Sequence, residues 1–123
     1  MRAALATEQL VDTDVLVDHL RAHRRLPIER RFAYSVISRF ELFASRAADE
    51  DVVNDLLGRH REISVDGLIA AGAGRLRRTD RLEIADALIA ATALVHDLEL
   101  VTRNRKDFER VRGIRLRDPS SLT

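Results

Sequence analysis

The chain contains no cysteine, which excludes disulfides, zinc–thiolate sites and thiol nucleophiles. No apolar run approaches the ~20 residues that a membrane-spanning helix needs. The segment Met1 to Gln9 lacks the long apolar core of a secretion signal. These absences fit a reducing compartment, and the expectation is a cytoplasmic protein with no membrane partner. Several catalytic signatures are missing as well. There is no G-x-S-x-G elbow and no P-loop, and Gly72-x-Gly74 is too little for a dinucleotide site. His19 and His23 stand four apart, but no glutamate follows His19 in the zinc-protease pattern. Charge of one sign is also lacking, since 21 basic residues face 20 acidic ones for a net charge of +1.

What is present suits one compact domain. A chain of 123 residues with 46% apolar content can bury a real core and is not disordered. Lys106 is the only lysine, so nearly all of the positive charge is arginine. Arginine suits bidentate phosphate contacts, although a GC-rich genome would enrich it too. The arginines cluster at Arg21, Arg24 and Arg25 (with Arg30 and Arg31 close behind), at Arg75, Arg77 and Arg78, and around Arg103, Arg105, Lys106, Arg110 and Arg112. The third cluster surrounds Asp107, an arrangement that suits a polyanion held near a metal site. The second is better explained as solvated surface.

Strand candidates alternate with helices along the chain. Gln9 to Asp12 reads as a short strand, and a helix starts near Val15. Phe32 to Ile37, rich in aromatic and β-branched residues, reads as the next strand. Ser38 then reads as the N-cap of a helix carrying Phe40, Phe43, Ala44 and Ala47. A helix over Asp51 to His60 ends near Gly58, and Ile63 to Val65 is ambiguous. Asp66 is placed to cap a helix from Gly67 to Arg78, with Thr79 and Asp80 breaking its pattern. The small residues Ala70, Ala71 and Ala73 permit close packing there. Leu82 to His96 is the clearest helix, with Ile84, Leu88, Ala91 and Val95 on one face. Glu99 to Thr102 is a strand, Asn104 to Arg110 one or two helical turns, and Ile114 to Leu116 a last strand. Pro119 ends the regular structure. This alternation predicts an α/β three-layer sandwich with a mainly parallel central sheet. Sites in such sheets form beyond the carboxyl ends of the strands.

Four acids occupy four separate segments at such junctions: Asp12, Glu41, Asp86 and Asp107. Each has an ordinary explanation. Ser38-x-x-Glu41 resembles a capping box, and Asn104-x-x-Asp107 a helix start. Asp86 suits the first turn of a helix, where the dipole favours an acid. Asp12 suits a turn or cap. Jointly they suggest convergence. At ~4 Å and an effective dielectric near 20, one like-charge pair costs about 4 kcal/mol, so gathered carboxylates require a cation. Hard divalent ions with oxygen ligands, Mg²⁺ or Mn²⁺, are the natural choice.

These segments resemble the motifs of PIN domains. Leu10-Val11-Asp12-Thr13-Asp14 resembles the opening motif, in which Asp-Thr-Asn is the commoner form. Ser35-Val36-Ile37-Ser38 through Glu41-Leu42 resembles the second. Ile84-Ala85-Asp86-Ala87-Leu88 resembles the third, and Leu100-Val101-Thr102-Arg103-Asn104 with Asp107-Phe108 the fourth. The last two together resemble the VapC toxins of toxin–antitoxin pairs. The resemblance spans Gln9 to Pro119 of one 1–123 domain; residues 1–8 exceed the usual family start and are either an N-terminal extension or lie upstream of the true translation start.

The resemblance implies a metal-dependent endoribonuclease. By match to the motifs, Asp12, Glu41, Asp86 and Asp107 are the catalytic, metal-binding acids, served by Mg²⁺ or Mn²⁺. Asp14, standing where asparagine is common, enters the site or points away. Thr102 and Asn104 match positions that commonly support the fourth acid, Asp107. Arg103, Arg105 and Lys106, beside Asp107, are expected RNA contacts. The partners implied are an RNA substrate, a cognate VapB-like antitoxin and a second copy in a homodimer. The rival readings are a phospho-acceptor domain, with Lys106 as its lysine, and a non-catalytic module on the same fold; cleavage of DNA instead of RNA is a further variant.

Overall fold

The computed structural model describes residues 8–122. Of the expected N-terminal extension, therefore, only Glu8 falls among the described residues. The described elements run β1 (Gln9–Val11), α1 (Thr13–Leu20), β2 (Ala33–Ser35), α2 (Val36–Ala44), α3 (Glu50–Gly58), β3 (Arg61–Ile63), α4 (Gly67–Asp80), α5 (Ile84–Val95), β4 (Glu99–Val101), α6 (Arg105–Phe108) and β5 (Leu116–Arg117). The strands form one sheet in the order β3-β2-β1-β4-β5, and every pairing is parallel.

Strand order reverses at β1. The chain moves outward through β2 and β3, then returns to place β4 on the other side of β1. Register is continuous across that point, with Gln9, Leu10 and Val11 opposite Glu99, Leu100 and Val101. Because strand side chains alternate between faces, the sheet feeds two separate cores. Leu10, Ala33, Ile63 and Leu100 face α4 and α5, packing with Ile69, Ala73, Ala90 and Phe108. Val11, Phe32, Tyr34 and Val101 face α1, α2 and α3, packing with Leu16, Leu42, Leu56 and Leu57. Full burial of each such Leu or Ile contributes about 1.5–3 kcal/mol. The sheet between two helical layers is the expected sandwich.

Several local expectations are corrected. The second strand stops at Ser35, and Val36 and Ile37 already belong to α2. Its N-cap is Ser35, whose side chain accepts from the Ile37 N–H. Ser38 is therefore not a cap, and Ser38-x-x-Glu41 is not a capping box. Helix α4 does not break at Thr79; it continues to Asp80 and ends at Arg81, whose φ of 59° is left-handed. Asp66 does cap it, accepting from the Ile69 N–H at 2.9 Å. Gly72 of α4 lies close against Ala91 of α5, the tight packing that small residues allow. Helix α5 is buried through Ala87, Ile89, Ala90, Ala91, Thr92 and Ala93, whereas Ile84 and Val95 of the predicted face are exposed. So many small side chains bury most of its circumference that a single stripe does not describe it. The last strand lies slightly later than expected, and Pro119 opens a 3-10 turn rather than ending regular structure.

Candidate active site at the carboxyl ends of the strands

Asp12 follows β1 directly and is the N-cap of α1. Its backbone N–H donates to the Val101 carbonyl, so the sheet fixes its position against the end of β4. The carboxylate is buried and held on both oxygens. Oδ1 accepts from the Thr13 N–H at 2.8 Å, and Oδ2 accepts from the Thr102 hydroxyl at 2.7 Å. Thr102, fully buried just after β4, in turn accepts the Asn104 N–H at 3.0 Å. Asn104 thus supports the site through its backbone, and its side chain makes no cap bond.

Burial pushes the Asp12 carboxyl up to about 7, with Asp14 and Asp86 adding to the rise; the bonds from Thr102 and Thr13 oppose it. Asp14, in the first turn of α1, enters the site rather than pointing away. Its Oδ2 accepts the Arg103 N–H at 3.3 Å, while its Oδ1 is buried with no hydrogen-bond partner among the described residues. Burial also raises its pKa, against the opposing pull of Arg103.

Glu41 comes from the middle of α2. Thr13 donates its single hydroxyl proton to Glu41 Oε1 at 2.6 Å. Ser38 must therefore be the donor in its 2.8 Å contact with the Thr13 oxygen. The relay Ser38–Thr13–Glu41 explains why Ser38 is fully buried in the first turn of α2. Asp86 lies in the first turn of α5. Its carboxyl is raised by burial first, then by Asp107, Glu41, Asp14 and Glu83. Asp107 is exposed on α6. All four predicted acids thus share one electrostatic environment through Asp86. Among the described residues, however, no three His, Asp or Glu side chains are grouped closely enough to hold a metal ion as they stand. Buried oxygens, one of them without a donor, and mutually raised carboxyls make a hard, anionic set that fits Mg²⁺ or Mn²⁺ better than softer metals.

The predicted basic contacts separate. Arg103 turns inward, with its Nε 3.1 Å from Asp18 Oδ2 and 3.8 Å from Asp14 Oδ2. Arg105 lies 3.7 Å from Asp118, and Lys106 is exposed. Three residues were missed by sequence reasoning. Thr13 and Ser38 orient Glu41, and Asp18, buried one turn beyond Asp14, holds Arg103. The signal for Asp18 was present: Asp14 and Asp18 stand four apart on one helix face. His23 approaches the edge of this group, with its Nδ1 3.8 Å from Asp18 Oδ1. His19 and His23 do not share a helix face, because α1 ends at Leu20.

The PIN-domain family model matches residues 10–114. Ribonuclease VapC10 of Mycobacterium tuberculosis is 42% identical over 108 residues, covering 77% of this chain and 81% of that protein. Among solved structures, a toxin–antitoxin complex from Klebsiella pneumoniae superposes with a TM-score of 0.74 at 33% identity, covering 91% of this chain and 98% of its own. A DNA-bound VapBC from Salmonella typhimurium gives 0.74 at 26% identity, covering 92% and 98%. The family match and the identity to a VapC ribonuclease show that the chain belongs to the PIN-domain family, on its VapC branch.

Proposed function

We propose that this protein is the toxin of a VapBC-type toxin–antitoxin pair and acts as an endoribonuclease, hydrolysing internal phosphodiester bonds of RNA. The observation that carries the site assignment is Asp12: a buried carboxylate, anchored on both oxygens, whose acid neighbours raise its pKa instead of relieving it. Folding tolerates such a group where function requires it.

Asp12, Asp86 and Asp107, with Glu41 direct or through water, are the residues that would hold Mg²⁺ or Mn²⁺. Bound there, the ion would activate water and neutralise charge on the phosphate. The protein's own share is positional. Thr102 and the Thr13 N–H fix the Asp12 carboxylate, and the Thr13 hydroxyl fixes Glu41. Arg103 balances Asp14 and Asp18, which limits the charge the ion must offset. In the reaction a water oxygen bonds to phosphorus while one P–O ester bond breaks. No histidine base is needed.

Lys106 is exposed and open to RNA, whereas Arg105, paired with Asp118, and Arg103, paired with Asp14 and Asp18, would each have to exchange a partner to reach it. Acting on cellular RNA, the protein would work in the cytoplasm. The cognate antitoxin is VapB-like, and the toxin itself is a homodimer, testable by light scattering on the isolated chain. The decisive assay incubates single-stranded RNA and DNA separately with Mg²⁺ or Mn²⁺. RNA cleavage that requires the metal and disappears in Asp86→Asn is expected. Intact RNA under all conditions would leave a non-catalytic module on this fold, and labelling of an aspartate by acetyl phosphate would favour a phospho-acceptor.

A further inference from the structure

On the α1–α3 side of the sheet, away from the acids, His19, Arg25, Arg30, Arg59 and His60 line a cleft of about 350 Å³, with Leu56 at its floor. An adjoining pocket shares His19, Arg25 and Arg59 and adds Leu20, Val52 and Asp55. Leu20 and Val52 also line a third, largely apolar stretch that reaches Glu41. Through these shared lining residues the three follow one another along α1, from Glu41 to the basic cleft. His19 lies seven residues beyond Asp12, about 10 Å along the helix axis.

The cleft is built of donors. Neither Arg25 nor Arg59 has an acidic partner within ion-pair distance among the described residues. His19 Nδ1 accepts the Leu26 N–H at 2.9 Å, and His60 Nδ1 accepts the Phe32 N–H at 3.1 Å. Each neutral ring therefore carries its proton on Nε2, and neither Nε2 has a partner among the described residues. Asp55 is the one acid lining either pocket. The neighbours agree with an excess of positive charge: burial, Arg25 and Arg59 hold His19 below its usual value, and burial, His19, Arg59 and Arg31 do the same for His60.

We propose that the His19–Arg25–Arg59–His60 cleft is a phosphate-binding subsite that grips the RNA backbone at a distance from the bond to be cut. The proposal rests on the RNA-cleaving function argued above. Guanidinium forks and imidazole N–H groups match phosphate oxygens. One peptide carboxylate would be satisfied by a single arginine, yet Arg24, Arg30 and Arg31 flank Arg25 and Arg59. That density of charge suits a polyanion better than a protein side chain.

The test compares wild type with Arg25→Glu/Arg59→Glu and Arg25→Lys/Arg59→Lys on a long single-stranded RNA and on a dinucleotide. Both arginines are exposed, so the variants should melt as wild type does. The Glu pair should raise KM for the long RNA about tenfold or more with kcat unchanged. Its salt slope should fall by about 1.4, two phosphates at ~0.7 each, and the Lys pair should restore most of it. Dinucleotide cleavage should not change. Separately, inorganic phosphate should shift the His19 and His60 ring signals in NMR of wild type and not of the Glu pair. Wild-type cleavage with equal KM and slope in the Glu pair would overturn the subsite and leave the enzyme assignment intact. Absence of any RNA cleavage by wild type would overturn both. Loss of antitoxin inhibition with unchanged KM would transfer the cleft to a protein partner and so overturn the RNA assignment.

Discussion

At the amino ends of the strands, Glu99 of β4 accepts from Gln9 of β1 at 2.7 Å and from Arg117 of β5 at 3.1 and 3.2 Å. Arg30 donates to Gln9 and lies over the Phe32 ring, while Arg61 pairs with Glu8. Burial alone would raise the Glu99 carboxyl, but the bonds from Arg117 and Gln9 hold it below its ordinary value. At the carboxyl ends of the same strands, Asp12, Asp14 and Asp86 are all raised, burial first and fellow carboxylates next. Among the described residues, Arg103 is the arginine paired with acids of this group, and it attends Asp14 and Asp18. At one end of the sheet the acids of this network, Glu8 and Glu99, are each answered by an arginine within the chain. The other has a charge deficit that an external cation can fill. A stabilising network and a functional site can thus be distinguished by the direction in which their carboxyls shift.

The largest effect expected from disturbing this contrast is on catalysis. Asp12→Asn keeps an N-cap residue and nearly the same shape but removes the charge. RNA cleavage should fall by about 10³-fold or more, the scale of losing a main electrostatic stabiliser. A single-turnover assay with Mn²⁺ checks it; activity within tenfold of wild type would remove Asp12 from the site.

The second effect is on the stability of the metal-free protein. Burial holds the folded Asp12 carboxyl at about 7 against its ordinary 3.8, so the folded state holds its proton more tightly. The associated stability is complete below pH 3.8 and is lost as pH rises through 7. The loss is on the order of 4 kcal/mol above pH 7. Melting wild type and Asp12→Asn in chelator between pH 4 and 8 should show the variant gaining on wild type up to about pH 7, then a constant gap. Parallel curves would mean that the acids relieve each other in solution.

Third, adding the ion should offset much of that penalty. At ~100 times its dissociation constant, Mg²⁺ or Mn²⁺ adds about 2.7 kcal/mol if it binds only the folded state. The melting temperature should rise for wild type and stay level for Asp86→Asn. An equal rise in both would place the ion elsewhere.

The fold and the acids were legible for different reasons. Alternating short apolar strands and helices specify a parallel sheet, and an acid at a strand end or in a helix's first turn stands out locally. Asp12 and Asp86 are of this kind. What makes them a site is not local. Ser38 looked like a cap because Ser-x-x-Glu is a capping pattern; only the approach of α1 to α2 reveals that it serves Thr13 and, through it, Glu41. Arg103 looked like a phosphate ligand because it sits beside Asp107, yet the return of β4 to β1 turns it onto Asp14 and Asp18. His19 and His60, 41 positions apart in the numbering, line one cleft because the end of α1 and the start of β3 meet. No short-range pattern encodes such pairings.

The smallest expected effect tests the satisfied end. Glu99→Gln retains an oxygen to accept from Gln9 but removes the charge that Arg117 answers. A partly exposed, charge-assisted contact of this kind contributes about 1 kcal/mol, and salt screens it further. Because the Glu99 carboxyl is held low, its contribution is present above pH 4.5 and is lost as pH falls through the folded value. The variant should therefore melt a few degrees lower at neutral pH, with the gap closing in acid, while RNA cleavage per folded molecule stays at the wild-type rate. The two ends are joined by three-residue strands, β1 and β4, so a rigid sheet would transmit a displacement of Glu99 directly to Asp12 and Thr102. A drop in cleavage alongside the drop in stability would show that the amino-end network also sets the geometry of the acids.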